Sequence, residues 1–452
     1  METITQARFE AWTTAWSDLI RQMSAYDSGA RGSGMISHFT NDPESLIAEL
    51  EARLDVSLPD DLKALIALGY VQADMRWSLP DGILLPFDDV FEGDLGWNLA
   101  EAEFPMFFDE DGEETEQRHY LSFHMARNGD LLLLDLEHPS GTAVVSWSHE
   151  EDEFRLLAPS LAEFLDRITK LGMIGAHAES YVPFLSEEGL EPDGENGRLW
   201  QAWLKDYAEL KWQNVRGDLT ASLRLIEMIA SEDAPRSEIG PLLLEHHDIE
   251  EVLREWTARN ETETSASNRR DRLILIGDAL GSAAADWVRS LWTIHAEAPA
   301  GLTQDVLHRL TASCLPEEEG LALVLREIEA QNSGGRMRPP YSLAAFRSRR
   351  AIPWMEPHVA FPIDGWASLL ADSRPAAEDL VRWLRGEDAL RMTAVQAIGR
   401  MPGGEMQALF VGSSGEPERA ELLRLLESLH AGAVLRKEKA AIQEAIAAVS
   451  RA

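Results

Sequence analysis

From Tyr120 to Leu171 the chain reads YLSFHMARNGDLLLLDLEHPSGTAVVSWSHEEDEFRLLAPSLAEFLDRITKL, and this order of segments leaves little choice of local fold. Tyr120 to Ala126 alternates apolar and polar residues, the mark of a half-buried strand. Asn128-Gly129-Asp130 supplies residues that tolerate the positive φ of a tight turn. Leu131 to Leu136 is a short, almost continuous apolar run, which predicts a strand buried on both faces. Pro139-Ser140-Gly141 turns the chain into Ala143 to Trp147, and the acidic stretch Glu150 to Glu153 leads into Phe154 to Leu157. An antiparallel meander results. Ser160 with Glu163 three residues on reads as a helix N-terminus, with Leu161, Phe164, Leu165 and Ile168 on one face for the sheet and Gly172 as the stop.

Upstream, Asp42-Pro43 opens a helix carrying Leu46, Ile47, Leu50 and Leu54. Ser57-Leu58-Pro59-Asp60-Asp61-Leu62 opens a second, which stops at Gly69. Taken in order, these helices, LPDDLKALIALG, the NGD turn, LLLLDL, AVVSWSH and LAPSLAEFLDRI resemble the SUKH superfamily over about residues 7 to 175. That superfamily unites a fungal cell-wall assembly regulator with many bacterial immunity proteins. The resemblance rests on the ordered set, since no single motif in it is diagnostic. It implies an α+β domain, an antiparallel sheet with flanking helices, that binds another protein. In bacteria the implied partner is a secreted toxin whose activity the domain blocks. The family pattern also has an acid at Asp135; a carboxylate inside an apolar strand is costly unless bonded, so Asp135 is expected to be structural. Two departures stand out: the acidic loop through Glu113-Glu114-Thr115-Glu116 is longer than the fold needs, and more than half of the chain lies beyond the resemblance.

Length and composition bound the rest. At 452 residues the chain exceeds one ordinary core, and 45% hydrophobic content excludes wholesale disorder. The lone Cys314 cannot form an internal disulfide, and METITQARFE lacks the basic start and apolar stretch of a signal peptide. No apolar run reaches the roughly 18 residues of a membrane span. A soluble, cytoplasmic protein is expected. The net charge of −37 is unevenly placed: residues 1–200 hold 40 Asp and Glu against 12 Lys and Arg, residues 201–452 hold 38 against 29. Such a surface repels nucleic acid and anionic lipid, so neither is an expected partner, and it attracts basic proteins. It also keeps a soluble protein dispersed whatever its function.

The domain reading is an α+β domain over residues 1–178, an acidic, Gly/Pro-punctuated linker over 179–198, and an all-α domain over 199–452. GEDALRMTAVQAIGRM from Gly386 and GEPERAELLRLLESLH from Gly415 share a pattern of HEAT-like helical repeats, although two units about 30 residues apart fit an irregular bundle equally well. Gly334 to Pro340 and Arg347 to Arg350 form a basic interruption between helices.

Motifs for chemistry are sparse. Asp109-Glu110-Asp111-Gly112-Glu113-Glu114 has the carboxylate density of a cation loop but not its spacing. His119 with His124, and His246 with His247, cannot converge on a metal, and Cys314 has no paired His in view. There is no Gly-x-Ser-x-Gly, Walker-type loop or Gly-x-Gly-x-x-Gly. No catalytic residue, metal or cofactor is assigned, and an enzyme is not expected. Trp12 with Trp16, and Trp200 with Trp203, share helical faces and read as core. The expected partner surface comprises Asp88, Asp89, Glu92 and Asp94 around Trp97 as an anchor, then Asp109, Glu110, Asp111, Glu113, Glu114 and Glu116, then Glu150, Glu151, Asp152 and Glu153. A basic toxin domain, such as a nuclease, fits it. The alternative is a regulatory scaffold with a peptide-binding helical half and no toxin partner.

Overall fold

Phe9, Trp12, Trp16 and Met23 recur at helical spacing, and in the computed structural model they form the buried face of helix α1 (Gln6–Tyr26). The structure describes residues 4–26, 31–37, 42–80, 83–108, 113–139, 142–210, 212–228, 236–293, 298–331, 337–411 and 415–452. Strand β1 (Arg31–Ser37) follows, then α2 (Pro43–Leu54) and α3 (Asp60–Ala67). Asp42 caps α2 by accepting from Ser45 N at 3.0 Å, with Pro43 in the first turn where its missing N–H costs nothing. Strand β2 (Gln72–Ser78) pairs antiparallel with β1 and with β3 (Glu92–Asn98). A short hairpin, β4 (Met106–Phe108) with β5 (Glu114–Glu116), leads to the meander.

The meander forms as the sequence predicts. Strands β6 (Tyr120–Met125), β7 (Leu131–Asp135), β8 (Ala143–Ser148) and β9 (Glu153–Ala158) lie side by side in chain order. In β7, Leu132, Leu133 and Leu134 are all buried, so the strand is covered on both faces. Asp135 at its end accepts from Glu137 N and His138 N, each at 3.0 Å, the backbone-bonded role expected of it. The 140–141 part of the next turn lies outside the described residues. Ser160 caps α4 (Leu161–Lys170) by accepting from Glu163 N at 3.2 Å, and Leu161, Phe164, Leu165 and Ile168 are buried. Trp12 Nε1 donates to Asp166 at 2.7 Å and Trp16 Nε1 to Thr169 Oγ1 at 2.8 Å, which ties α1 to α4.

The linker expected over 179–198 is not one. Ala178–Phe184 is a 3₁₀ helix, β10 (Leu185–Ser186) and β11 (Gly189–Leu190) pair as a hairpin, and α5 (Glu195–Glu209) carries Trp200, Trp203 and Tyr207 into the same core as α1 and α4. Trp203 stacks at 5.3 Å on both Trp200 and Tyr207. Trp200 Nε1 donates to Leu171 O at 2.8 Å and Trp203 Nε1 to Leu84 O at 3.2 Å. The acids Glu187, Glu188, Glu191, Asp193 and Glu195 are exposed, while Tyr181, Phe184 and Leu190 are buried in the core. Too few to show a period, they gave no helix or strand signal. Helices α6 (Trp212–Val215) and α7 (Leu219–Met228) also belong to this unit, which spans Met1–Pro235; the second unit is Arg236–Ala452.

The second unit is helical, with no strand among its described residues, so the fold class is α+β followed by all-α. The helix expected from Pro241 to Glu255 is two, Arg236–Leu244 and Ile249–Thr262, parted where Asp248 caps the second by accepting from Glu250 N at 2.8 Å. The two segments related in sequence form Asp388–Arg400 and Gly415–Gly432. Asp388–Arg400 packs on Asp364–Asp372 and Arg436–Arg451, whereas Gly415–Gly432 packs on Ala377–Leu384 and Arg436–Arg451. The basic interruption is neutralised by neighbouring helices: Arg347 pairs with Glu405, Arg349 with Asp379 and with Glu378 at 3.1 Å, and Arg350 with Glu318 at 3.2 Å. Its 334–336 portion lies outside the described residues.

Candidate functional site

Alternation along β8 and β9 sends Trp147 and Phe154 to the face of the meander away from the main core, where they sit directly opposite each other. Phe107 of β4 packs on both, with ring centroids 4.6 Å from Trp147 and 5.6 Å from Phe154, and Tyr120 stacks on Phe154 at 4.8 Å. The cluster reaches solvent: Phe154 is 41% exposed, and among the nearby methionines Met106 is 52% and Met125 66% exposed. Beside it runs a groove of about 810 Å³ between β2, β3, β6 and the segment 101–107, into which Phe107 and Trp147 also project.

Acidic side chains rim this cluster. Thr115 pairs with Phe107 and Glu116 with Met106 across the β4–β5 hairpin, so the exposed Glu113 and Glu116 lie at its edge. On the other side the β8–β9 turn carries Glu150, Glu151, Asp152 and Glu153, all exposed. Asp152 takes a positive φ of 53° and accepts from Trp147 Nε1 at 2.9 Å, which orients the indole. Arg155 pairs with Glu151 and with Glu153, holding two of the acids in place. Asp109, Glu110, Asp111 and the side chain of Glu114 lie outside the described residues.

The first of the three expected patches does not form as read. Asp94 and Trp97 are 4% and 3% exposed and cannot meet a partner directly. Trp97 is a core residue, its Nε1 donating to Tyr70 O at 3.0 Å and its ring edge-on to Phe9 and Trp16. Asp94 Oδ1 lies 3.4 Å from both Arg76 Nε and His124 Nε2. The acidic stretch Glu92–Asn98 is strand β3, and its glycines serve close approach: a Cβ at Gly93 would stand 2.2 Å from Trp77 Nε1, and one at Gly96 2.9 Å from Ala73 O. Asp88 and Asp89 are exposed and Glu92 is half-buried.

Residues 43–167 match the model of the SMI1 / KNR4 family (SUKH-1). The N-terminal unit carries a SUKH-1 domain. No curated protein and no solved structure matches the chain. The matched span holds the whole aromatic cluster and its acidic rim, while α1 and α5, which add four tryptophans to the same hydrophobic core, lie outside it. The cluster itself escaped the sequence reading. Its signal was present: Trp147 and Phe154 occupy positions of the meander where alternation calls for polar residues.

A hydrogen-bonded pair secures the SUKH-1 meander next to this face. Asp130, in the β6–β7 turn, accepts from Ala178 N and Asn128 Nδ2 at 2.7 Å and from His149 N at 3.0 Å, and meets His149 Nδ1 at 2.7 Å. Burial raises the Asp130 carboxyl, but these bonds outweigh it and hold its pKa below the ordinary value. The bond from Asp130 raises the pKa of His149 above the ordinary imidazole value. A raised folded-state pKa means the His149 contribution is full below about pH 6.5 and is lost as pH rises through the folded value. His149→Gln is therefore expected to narrow the gap in urea midpoint between pH 5.5 and pH 8.5 relative to wild type; an unchanged gap would show that the pair does not titrate with folding.

In the second unit His308 is 2% exposed, with Nδ1 2.8 Å from Ser342 Oγ and Nε2 2.8 Å from Glu327 Oε2, so both ring nitrogens are satisfied. Burial pushes the Cys314 thiol up to about 12, which leaves it un-ionised at neutral pH. Among the described residues no group of three or more His, Cys, Asp or Glu side chains is placed to hold a metal, and no helix is long and apolar enough to cross a membrane.

Proposed function

We propose that this protein is an immunity-type binding protein whose SUKH-1 domain docks on a basic toxin domain and blocks it. The observation that carries the reading is the exposed cluster of Phe107, Trp147, Phe154 and Met106 with acids on both sides, Glu113 and Glu116 on one and Glu150, Glu151 and Glu153 on the other. Aromatic residues and Met at the centre with a charged rim are the composition of a protein-recognition surface. The family resemblance, which reaches many bacterial immunity proteins, supports it. So does the charge: a nuclease toxin holds phosphates with a basic cleft, and an acidic inhibitor that covers that cleft gains both complementarity and a steered on-rate. Inhibition is by occlusion, in the cytoplasm, with no reaction catalysed.

Co-expression with a toxin domain encoded beside this gene is the direct test: growth should be restored, and loss of growth despite the intact protein would sink the proposal. Within a protected pair, Trp147→Ala with Phe154→Ala is expected to weaken binding by at least about 30-fold, as truncation of central aromatic anchors does. Glu113→Lys with Glu116→Lys should slow association and flatten its salt dependence in stopped-flow measurements.

A further inference from the structure

The groove beside the aromatic cluster is unevenly charged. Its carboxylates are Asp74, Glu101 and Glu103, the last two fully at the surface and Asp74 40% exposed. Against them stands one guanidinium, Arg76, whose Nε is already divided between Asp74 Oδ1 at 2.8 Å and the buried Asp94 Oδ1 at 3.4 Å. A second anion entering here would face three carboxylates, so the groove selects for a cation.

A buried ion-pair network lies beneath these carboxylates. His124 lines the groove with a side chain only 9% exposed, its Nε2 turned to Asp94 Oδ1 at 3.4 Å. Asp74 Oδ1, Arg76 Nε and Asp94 Oδ1 are buried beside it as one another's ion-pair partners. A guanidinium brings five N–H donors in one plane, and its flat faces stack on aromatic rings such as Phe107 and Trp147 on the wall.

We infer that this groove receives an arginine side chain presented by the partner protein, lying against Phe107 and Trp147 and bonded by Asp74, Glu101 and Glu103. The inference rests on the reading of the domain as a protein-binding module, and names the group by which the partner is recognised. It explains why the aromatic cluster and the acid-lined groove share Phe107 and Trp147.

The probe is a fluorescein-labelled tri-arginine peptide, its binding to the full chain followed by anisotropy at low salt. Glu101→Gln with Glu103→Gln, both exposed, is expected to weaken it about tenfold, and Asp74→Asn to weaken it further. Glu187→Gln with Glu188→Gln, an equal charge change on exposed residues away from the groove, should alter it less than twofold. Phe107→Ala should reduce the preference for tri-arginine over tri-lysine. Equal weakening by the two glutamate pairs would mean attraction to net charge alone and would overturn the inference, as would no preference for arginine. Should Asp74→Asn fail to fold, the surface pair still decides the matter. Because the assay needs no toxin, arginine selectivity without growth protection removes only the toxin proposal, and protection indifferent to the groove variants removes only this inference.

Discussion

Trp200→Ala is expected to destabilise the N-terminal unit by about 3–5 kcal/mol, the cost of deleting a fully buried aromatic. Trp200 is 0% exposed, donates through Nε1 to Leu171 O just past α4, stacks on Trp203 and lies 6.4 Å from the Trp77 ring of β2. Its removal opens a cavity at the junction of sheet, α4 and α5, and leaves a carbonyl without its donor. A urea titration followed by circular dichroism checks this: a loss below about 1 kcal/mol would show that α5 is peripheral to the core. The same packing implies that a chain ending at residue 178 will be insoluble, because it exposes the apolar surface that Trp200, Trp203 and Tyr207 cover.

The second large effect is expected at Asp130. Replacement by Ala removes the acceptor of two backbone N–H groups, those of Ala178 and His149, together with the bonds to Asn128 and the His149 ring. At about 1–3 kcal/mol for each unsatisfied buried group, a loss of about 3 kcal/mol or more at pH 7 follows. The pH dependence gives a second readout. The carboxyl pKa is lowered by folding, so its stabilisation is present above about pH 4 and is lost as pH falls through the folded value. The difference in urea midpoint between wild type and Asp130→Ala should accordingly shrink at pH 2.5 compared with pH 7. A difference independent of pH would assign the effect to backbone geometry in the Asn128-Gly129-Asp130 turn instead of to the carboxylate.

These two sites differ in how far the sequence announced them. The turn at Asn128-Gly129-Asp130, the two-sided burial of Leu131 to Leu136 and the Ser160 cap follow from local rules that depend only on neighbours a few residues away, and each formed as read. The role of Asp130 as an acceptor for Ala178 did not follow, since it joins positions 48 apart. The pairing of Trp200 with Trp203 was legible as a buried helical face; which core it enters was not. A stretch rich in Glu, Gly and Pro looks the same whether it crosses solvent or coats a packed surface, and only the inward Tyr181, Phe184 and Leu190 distinguish the two.

The partner surface divides along the same line. Acidic composition by itself set the sign of the charge, because net charge needs no coordinates. It misplaced Asp94 and Trp97, since a glycine-spaced acidic strand and a glycine-spaced acidic loop have the same composition. The sequence determined the four strands of the meander, their order, the Asp42 and Ser160 caps and the sign of the charge, all properties of short range or of the whole sum. Tertiary structure alone decided that Phe107, Trp147 and Phe154 meet at the surface, that Glu113 and Glu153 flank one cluster, and that Asp74, Arg76 and His124 share a groove. Those meetings depend on which strands pair and which faces pack, and no residue carries that information in its immediate neighbours.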